Sequence, residues 1–394
     1  MSGKLEVEVN MQWNETFWQT PKCRKAPAYF DYRGDVKPIF YDCGIWKGKP
    51  VKAFAWIGFP KNLKKGQQVP GMVLVHGGGG TAFPDWVRLW NERGYAAIAM
   101  DNCGGLPVWN ETSYGTNPWP RHAFSGPSGW GNFGEIGVLP PEDQWVYQAT
   151  ATVLAAHSLL RSFPQVDAGR IGITGVSWGG VLTCIAAGVD DRFAFAAPVY
   201  GCGFLDVTVF GEIEQIKDHP EKAEEWKQRW DPSCYLPQAK IPFLWVDGTN
   251  DFAFPLSIVT KSLQTMPGKS WRCWPVRMPH GHGGVSEKPE EIHNFADAVT
   301  GHGASLPMAD FTAPVMDQGR LSVGFTAPWP IWKAEFNYTC DGGVEKERNW
   351  NIAAGGIDFA QGRLTAVLPE GATEGYFNLF SETGLLFSSP LWTA

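Results

Sequence analysis

The sequence predicts an α/β protein: a mostly parallel sheet covered by helices on both faces, followed by a small C-terminal β-sandwich. Three observations lead there. Short apolar runs at Val73 to Val75, Ala96 to Met100, Ile171 to Thr174, Ala194 to Val199, Phe243 to Val246 and Arg272 to Val276 read as strand cores separated by helix-like stretches. That alternation is the mark of a parallel sheet buried on both sides. The clearest helix is Pro141 to Arg161, where Pro-Glu-Asp suits a first turn and Trp145, Ala149, Val153 and Ala156 recur at helical spacing. After residue 304 the helical period gives way to alternating runs at Arg320 to Thr326, Trp332 to Thr339, Arg363 to Leu368, Gly375 to Phe380 and Gly384 to Phe387, the pattern of an antiparallel sandwich.

Taken in order, residues 1–34 read as an N-terminal extension. Pro38 to Tyr41 and Val51 to Phe59 flank the turn Lys47-Gly48-Lys49-Pro50 and read as a hairpin that opens the sheet. Residues 35–304 are the expected catalytic domain and 305–394 the sandwich. The sandwich is expected to be a packing appendage, with Trp329, Trp332 and Trp350 in its core or at the domain interface rather than on a sugar-binding face. Within the catalytic domain, 101–140 is too long for a simple connector and carries Trp109, Tyr114, Trp119, Phe124, Trp130 and Phe133. It is expected to cover the site. Tryptophan offers a wide apolar face with one N–H donor, which matches a pyranose, so Trp109, Trp119 and Trp130 are candidate substrate-binding rings.

Chemistry concentrates at strand ends. Gly175-Val176-Ser177-Trp178-Gly179-Gly180 follows a β-rich run and precedes a small apolar helix. A serine hydroxyl attacks only after a base takes its proton, and this G-x-S-x-G turn lifts it to such a base, the glycines allowing strand and helix to approach closely. Upstream, Gly71 to Val75 runs into His76-Gly77-Gly78-Gly79-Gly80. Glycines after a buried strand aim bare N–H groups at a developing oxyanion; Gly78 or Gly79, paired with Trp178, is the candidate donor set, and His76 is expected to brace the turn. A phosphate-binding loop is excluded because no Gly-Lys-Ser/Thr follows. Gly129-Trp130-Gly131-Asn132-Phe133-Gly134 has dinucleotide spacing but neither leaves a strand nor opens a helix.

At these residues the chain resembles the α/β-hydrolase superfamily, in which serine, acid and histidine follow in that order. The resemblance implies that the acid and base lie downstream. Asp247-Gly248-Thr249-Asn250-Asp251 followed by Pro255 resembles the acid loop of dienelactone hydrolase, acetylxylan esterase and prolyl oligopeptidase relatives, which implies Asp251 as the acid; Asp247, earlier in the loop where it can cap the turn through its own backbone, is the alternative acid. Pro279-His280-Gly281-His282-Gly283-Gly284 resembles their G-H-G loop, giving His282 as the base and His280 as the alternative. Two features depart from the relatives: dienelactone hydrolases carry cysteine where Ser177 stands, and acetylxylan esterases carry glutamine where Trp178 stands.

Composition fits an enzyme of this kind. A net charge of -7 over 394 residues opposes non-specific nucleic-acid binding. No apolar run is long enough to span a bilayer. The eight cysteines form no C-x-x-C, and the H-x-H pair is not followed by further ligands at zinc-enzyme spacing, so neither a metal nor another cofactor is expected. The first residues lack a signal-peptide core, which points to the cytoplasm, or to a secreted or periplasmic place if a signal peptide was removed. The expected function is a serine carboxylic-ester hydrolase working through an acyl-enzyme on short-chain acetyl esters, carbohydrate esters included. A prolyl oligopeptidase-like peptidase and a non-catalytic binding protein on a hydrolase scaffold are the alternatives. Oligomeric state is left open.

Overall fold

The computed structural model describes residues 11–26, 33–108, 119–129 and 133–394. The first sheet holds β1 (Cys23–Lys25), β2 (Lys37–Trp46), β3 (Lys49–Gly58), β4 (Val69–Val75), β5 (Ala96–Met100), β6 (Val166–Val176), β7 (Phe195–Val199), β8 (Phe243–Val246) and β9 (Ser270–Cys273), in the spatial order β1-β2-β3-β5-β4-β6-β7-β8-β9. From β5 to β9 the neighbours run parallel, and β1 to β3 extend the sheet antiparallel. The helices are α1 (Pro84–Glu92), α2 (Trp145–Arg161), α3 (Trp178–Val189), α4 (Glu214–Lys217), α5 (Pro220–Trp230), α6 (Leu256–Leu263) and α7 (Glu290–Thr300). α2 packs with α3 on one side of the sheet, while α1 and α7 meet through Trp90 and His293, ring centroids 4.8 Å apart.

Local sequence explains these elements. The hairpin turns at Lys47 (φ 48°) and Gly48 (φ 73°), two consecutive left-handed residues whose twist suits a two-residue hairpin. β4 and β5 are buried at every position, which is why they read as unbroken apolar runs rather than alternating ones. In α2 every residue but Arg161 is buried. One flank lies on the sheet and the other is covered by residues 11–26: Trp13 stacks on Tyr147 at 5.0 Å, and Ser158 donates to the Phe17 carbonyl at 2.6 Å. At least this part of the N-terminal extension therefore belongs to the catalytic body.

The strand expected at Arg272 to Val276 is instead Ser270–Cys273. It stops because Pro275 has no N–H and because Trp274 is already occupied by the C-terminal domain: its N–H donates to Ser388 Oγ at 2.8 Å, and its carbonyl accepts from Tyr376 Oη at 2.7 Å and Asn378 Nδ2 at 3.2 Å.

The C-terminal strands are β10 (Asp310–Phe311), β11 (Val315–Asp317), β12 (Arg320–Thr326), β13 (Ile331–Thr339), β14 (Trp350–Ala354), β15 (Gly356–Asp358), β16 (Arg363–Val367), β17 (Glu374–Ser381), β18 (Leu386–Ser388) and β19 (Trp392–Thr393). They form two antiparallel sheets, β10-β12-β16-β15 with β11 alongside and β14-β13-β17-β18 with β19 alongside. Leu321, Val323, Leu364, Phe377, Leu379 and Trp329 make the sandwich's own core. Trp350, Tyr376 and Leu386 instead join the core of the catalytic domain. The tryptophans thus divide three ways, with Trp329 in the core, Trp350 at the interface and Trp332 64% exposed. All eight cysteines are free thiols. Among the described residues no helix is long and apolar enough to cross a membrane.

Candidate active site

The carboxyl ends of β4, β5, β6, β8 and β9 deliver their loops to one edge of the sheet, where open α/β sheets hold their ligands. Ser177 sits between β6 and α3 with φ 57° and ψ -120°, a region that non-glycine residues avoid. The strain persists because the surroundings fix both flanks. A Cβ on Gly175 would run into the Gly179 carbonyl, and one on Gly179 into the Val75 carbonyl. Behind the turn, the Ser177 N–H donates to the Val199 carbonyl at 2.9 Å.

Trp178 is the first residue of α3, so its N–H has no acceptor inside the helix. The glycine turn lies opposite. His76 is buried and locks the turn's base: its Nδ1–H donates to the Gly77 carbonyl at 2.8 Å, and its Nε2 accepts the Asn102 N–H at 3.0 Å. Burial also lowers its pKa, which suits a neutral brace. Gly80 N–H returns to the Gly77 carbonyl at 3.1 Å, whereas the N–H groups of Gly78 and Gly79 have no acceptor among the described residues. Beside these groups is a cavity of about 210 Å³ lined by Gly77 to Gly79, Asn102, Cys103 and the rings of Phe133, Trp145, Trp178 and Phe210. Trp178 stands edge-on to Trp145 at 5.4 Å and to Phe210 at 5.1 Å, so this side chain builds the cavity wall.

The acid loop is equally determined. Asp251 Oδ1 accepts the N–H groups of Ala253 and Phe254, each at 2.8 Å, and Oδ2 lies 2.6 Å from His280 Nδ1. With its side chain fully buried, the carboxylate is fixed in orientation. Asp247 caps its own turn, accepting the Gly248 N–H at 2.7 Å, as the sequence suggested. Burial pushes its carboxyl well above the ordinary carboxylate range, with the Asp251 charge adding to the effect. The two neighbouring acids thus differ in their partners, Asp247 bonded to its own backbone and Asp251 paired with an imidazole.

The imidazoles are distributed differently from the sequence expectation. Asp251 pairs with His280, the alternative, and not with His282. The His280 ring stacks on Tyr200 at 4.5 Å, and the Tyr200 hydroxyl donates to the Pro279 carbonyl at 3.1 Å, which orients the loop from the end of β7. His282 has a separate environment. Its Nε2 accepts the Gly77 N–H at 3.0 Å, and its Nδ1 faces Glu287 Oε1 at 3.2 Å. Ser177 Oγ makes no hydrogen bond to either ring, a looseness common in unliganded hydrolases.

Of the three candidate substrate rings, Trp119 is half-buried and donates through Nε1 to the Gly79 carbonyl at 3.0 Å. Trp109 and Trp130 lie outside the described residues. Sequence reasoning missed Tyr200, Glu287 and Asn250. Asn250 Nδ2 donates to the carbonyls of Arg348 at 2.8 Å and Lys346 at 3.1 Å, and Glu345 of the same loop accepts from Ser257 Oγ. Arg277, held at φ 56°, donates its N–H to Thr249 Oγ1 at 2.9 Å and so joins the acid loop to the histidine loop. The sandwich is consequently a clamp on the acid loop rather than a loosely attached appendage. Among the described residues no group of three or more His, Cys, Asp or Glu side chains is arranged to hold a metal ion.

Known proteins share this fold. The profile of the prolyl oligopeptidase family matches residues 143–299. The acetyl xylan esterase from Paenibacillus sp. R4 superposes with a TM-score of 0.56 at 20% identity, over 76% of this chain and 100% of that one. The chain has the α/β-hydrolase fold. Acetyl xylan esterase 1 from Thermoanaerobacterium sp. JW/SL YS485 superposes on this chain with a TM-score of 0.50 at 16% identity, over 72% of this chain and 94% of that one. In sequence, the chain is 26% identical over 239 residues to a probable dipeptidyl-peptidase 5 of Aspergillus terreus, covering 57% of this chain and 29% of the relative. It therefore spans less than a third of that relative's length. These matches show the fold of the chain.

Proposed function

We propose that the hydrolase is a serine esterase in which Ser177 attacks the ester carbonyl, His280 takes its proton, and Asp251 orients His280. One observation carries this reading: the buried Asp251 carboxylate, fixed by two amides, lies 2.6 Å from Nδ1 of an imidazole on the loop after β9. A carboxylate there holds the proton on Nδ1, leaves Nε2 free as the base, and stabilises the imidazolium once formed. The proton passes from Ser177 Oγ to His280 Nε2 as the C–O bond forms, then to the leaving alkoxide as the acyl-enzyme forms; water repeats both transfers to release the acid. The N–H groups of Trp178 and of Gly78 or Gly79 receive the oxyanion, each such donor lowering the barrier by ~2.7–4 kcal/mol.

The ring-lined cavity beside these donors suits a small apolar acyl group, and acetyl xylan esterases share the fold. A short-chain, acetyl-type ester, of a sugar among other alcohols, is therefore the proposed substrate. The peptidase reading has its own support in the prolyl oligopeptidase profile and the dipeptidyl-peptidase relative. A panel of acetyl, butyryl and octanoyl aryl esters, acetylated xylo-oligosaccharides and aminoacyl or prolyl anilides separates the two. The expected result is highest kcat/KM on acetyl esters and no measurable anilide cleavage; anilide turnover exceeding ester turnover overturns it.

A further inference from the structure

We propose that His282, backed by Glu287, is a positioning residue that bolts the glycine turn to the catalytic loop and must be neutral for hydrolysis. The proposal rests on the preceding reading of Gly78, Gly79 and Trp178 as oxyanion donors and of His280 as base.

The hydrogen bond from Gly77 N–H to His282 Nε2, 3.0 Å, joins segments 205 residues apart. It fixes the tautomer. With Nε2 accepting, the proton stands on Nδ1, where Glu287 Oε1 accepts it at 3.2 Å and is itself held by the Gly283 N–H at 3.2 Å. The bond is close to the nucleophile: a Cβ placed on Gly77 would lie 3.0 Å from Ser177 Cβ and 3.3 Å from His282 Nε2. Gly77 is also held through its carbonyl, by His76 Nδ1–H at 2.8 Å and Gly80 N–H at 3.1 Å. Both ends of this residue are thus fixed, and the next N–H groups are those of Gly78 and Gly79. Preorganised donors stabilise an oxyanion because they need no reorientation when charge develops. His282 supplies the anchor on the N–H side and His76 the anchor on the carbonyl side.

The same geometry sets a pH dependence. Protonation at Nε2 would set two N–H donors against each other at Gly77, and the turn would lose its anchor. The groups around His282 are Glu287 and His280 on its own loop, His280 being paired with Asp251 of the acid loop, the Phe83 ring at the start of α1 at 5.0 Å, and His76 with Asp101 behind the glycine turn. Acid then acts twice on the enzyme, charging the base and releasing the turn.

The test is the pH profile of kcat/KM on an aryl acetate for the full-length enzyme and for His282→Ala, His282→Gln and Glu287→Gln. His282→Ala is expected to lower kcat by one to two orders of magnitude at neutral pH, with KM changed less than about threefold, below the ~10²–10³ lost with an oxyanion donor itself. His282→Gln keeps an oxygen that accepts from Gly77 without titrating. It should recover most of kcat and reduce the acid limb from a two-proton to a one-proton slope. Wild-type kcat in His282→Ala, or an unchanged acid limb in His282→Gln, overturns the proposal while leaving His280 as base. If His282→Ala and His282→Gln are as inactive as Ser177→Ala and His280→Ala retains turnover, His282 is itself the base and both readings fall. Should His282→Ala not fold, His282→Gln and Glu287→Gln give the same decision.

Discussion

Replacing Asp251 by Asn tests the proposed relay with little disturbance of the fold. Asp251 Oδ1 receives two amide hydrogen bonds of 2.8 Å and Oδ2 faces His280 Nδ1 at 2.6 Å. The Asn oxygen keeps both amides, so the loop stays in place, while its NH2 group points at Nδ1. A donor there requires Nδ1 to accept, which moves the ring proton to Nε2 and leaves no base facing Ser177. A wrong-tautomer imidazole of this kind costs about 10⁴ in kcat, which is about 5.4 kcal/mol of barrier height at ~1.36 kcal/mol per decade. Asp247 is not placed to substitute, because its Oδ1 is committed to the Gly248 N–H and burial raises its pKa, which disfavours the carboxylate. The assay is aryl acetate turnover with the pre-steady-state burst recorded, alongside thermal unfolding to verify the fold. Asp251→Asn within tenfold of wild type, or Asp247→Asn the more damaging of the two, refutes the assignment, as does near-normal turnover in His280→Ala, for which a loss on the order of 10⁶ is expected.

Three further outcomes follow from the contacts. Asn250→Ala removes the donor serving the Arg348 and Lys346 carbonyls and should cost about 1–3 kcal/mol in unfolding free energy, together with a fall in kcat of about tenfold that exceeds any change in KM; unchanged kcat at lowered Tm would make the clamp purely structural. Trp350→Ala empties a buried interface site and should destabilise by about 3–5 kcal/mol, read by denaturant melts. His293, buried against Trp90 with neither ring nitrogen hydrogen-bonded, has its pKa lowered to about 3 by burial. Glu290, 3.9 Å from its Nδ1, is exposed and already paired with Arg93. The unfolded chain therefore takes up a proton near its ordinary pKa of about 6.5 that the native state refuses until about 3, and stability falls across that window as pH drops, by up to ~5 kcal/mol. His293→Phe should flatten this acid limb, seen as a lower midpoint in acid unfolding.

The fold class, the order of the strands and the tight turn at Ser177 were legible in the sequence. Those features are written in short-range patterns: unbroken apolar runs from a doubly covered sheet, and Gly175 and Gly179 with no room for a Cβ. Pairing across long separations came from the packing alone. His280 and His282 are two residues apart in near-identical local sequence, and nothing local says which ring meets Asp251, 29 residues earlier for His280, and which meets Gly77, 205 residues earlier for His282. That choice is made by the direction of the loop after β9, which depends on where the strand stops. The stop at Cys273 is set partly by Pro275, visible in the sequence, and partly by Ser388, Tyr376 and Asn378 arriving from the sandwich. Asn250 and Trp350 belong to the same category: an exposed-looking amide and a β-strand tryptophan become a clamp on the acid loop only when two domains, each legible alone, are packed against each other.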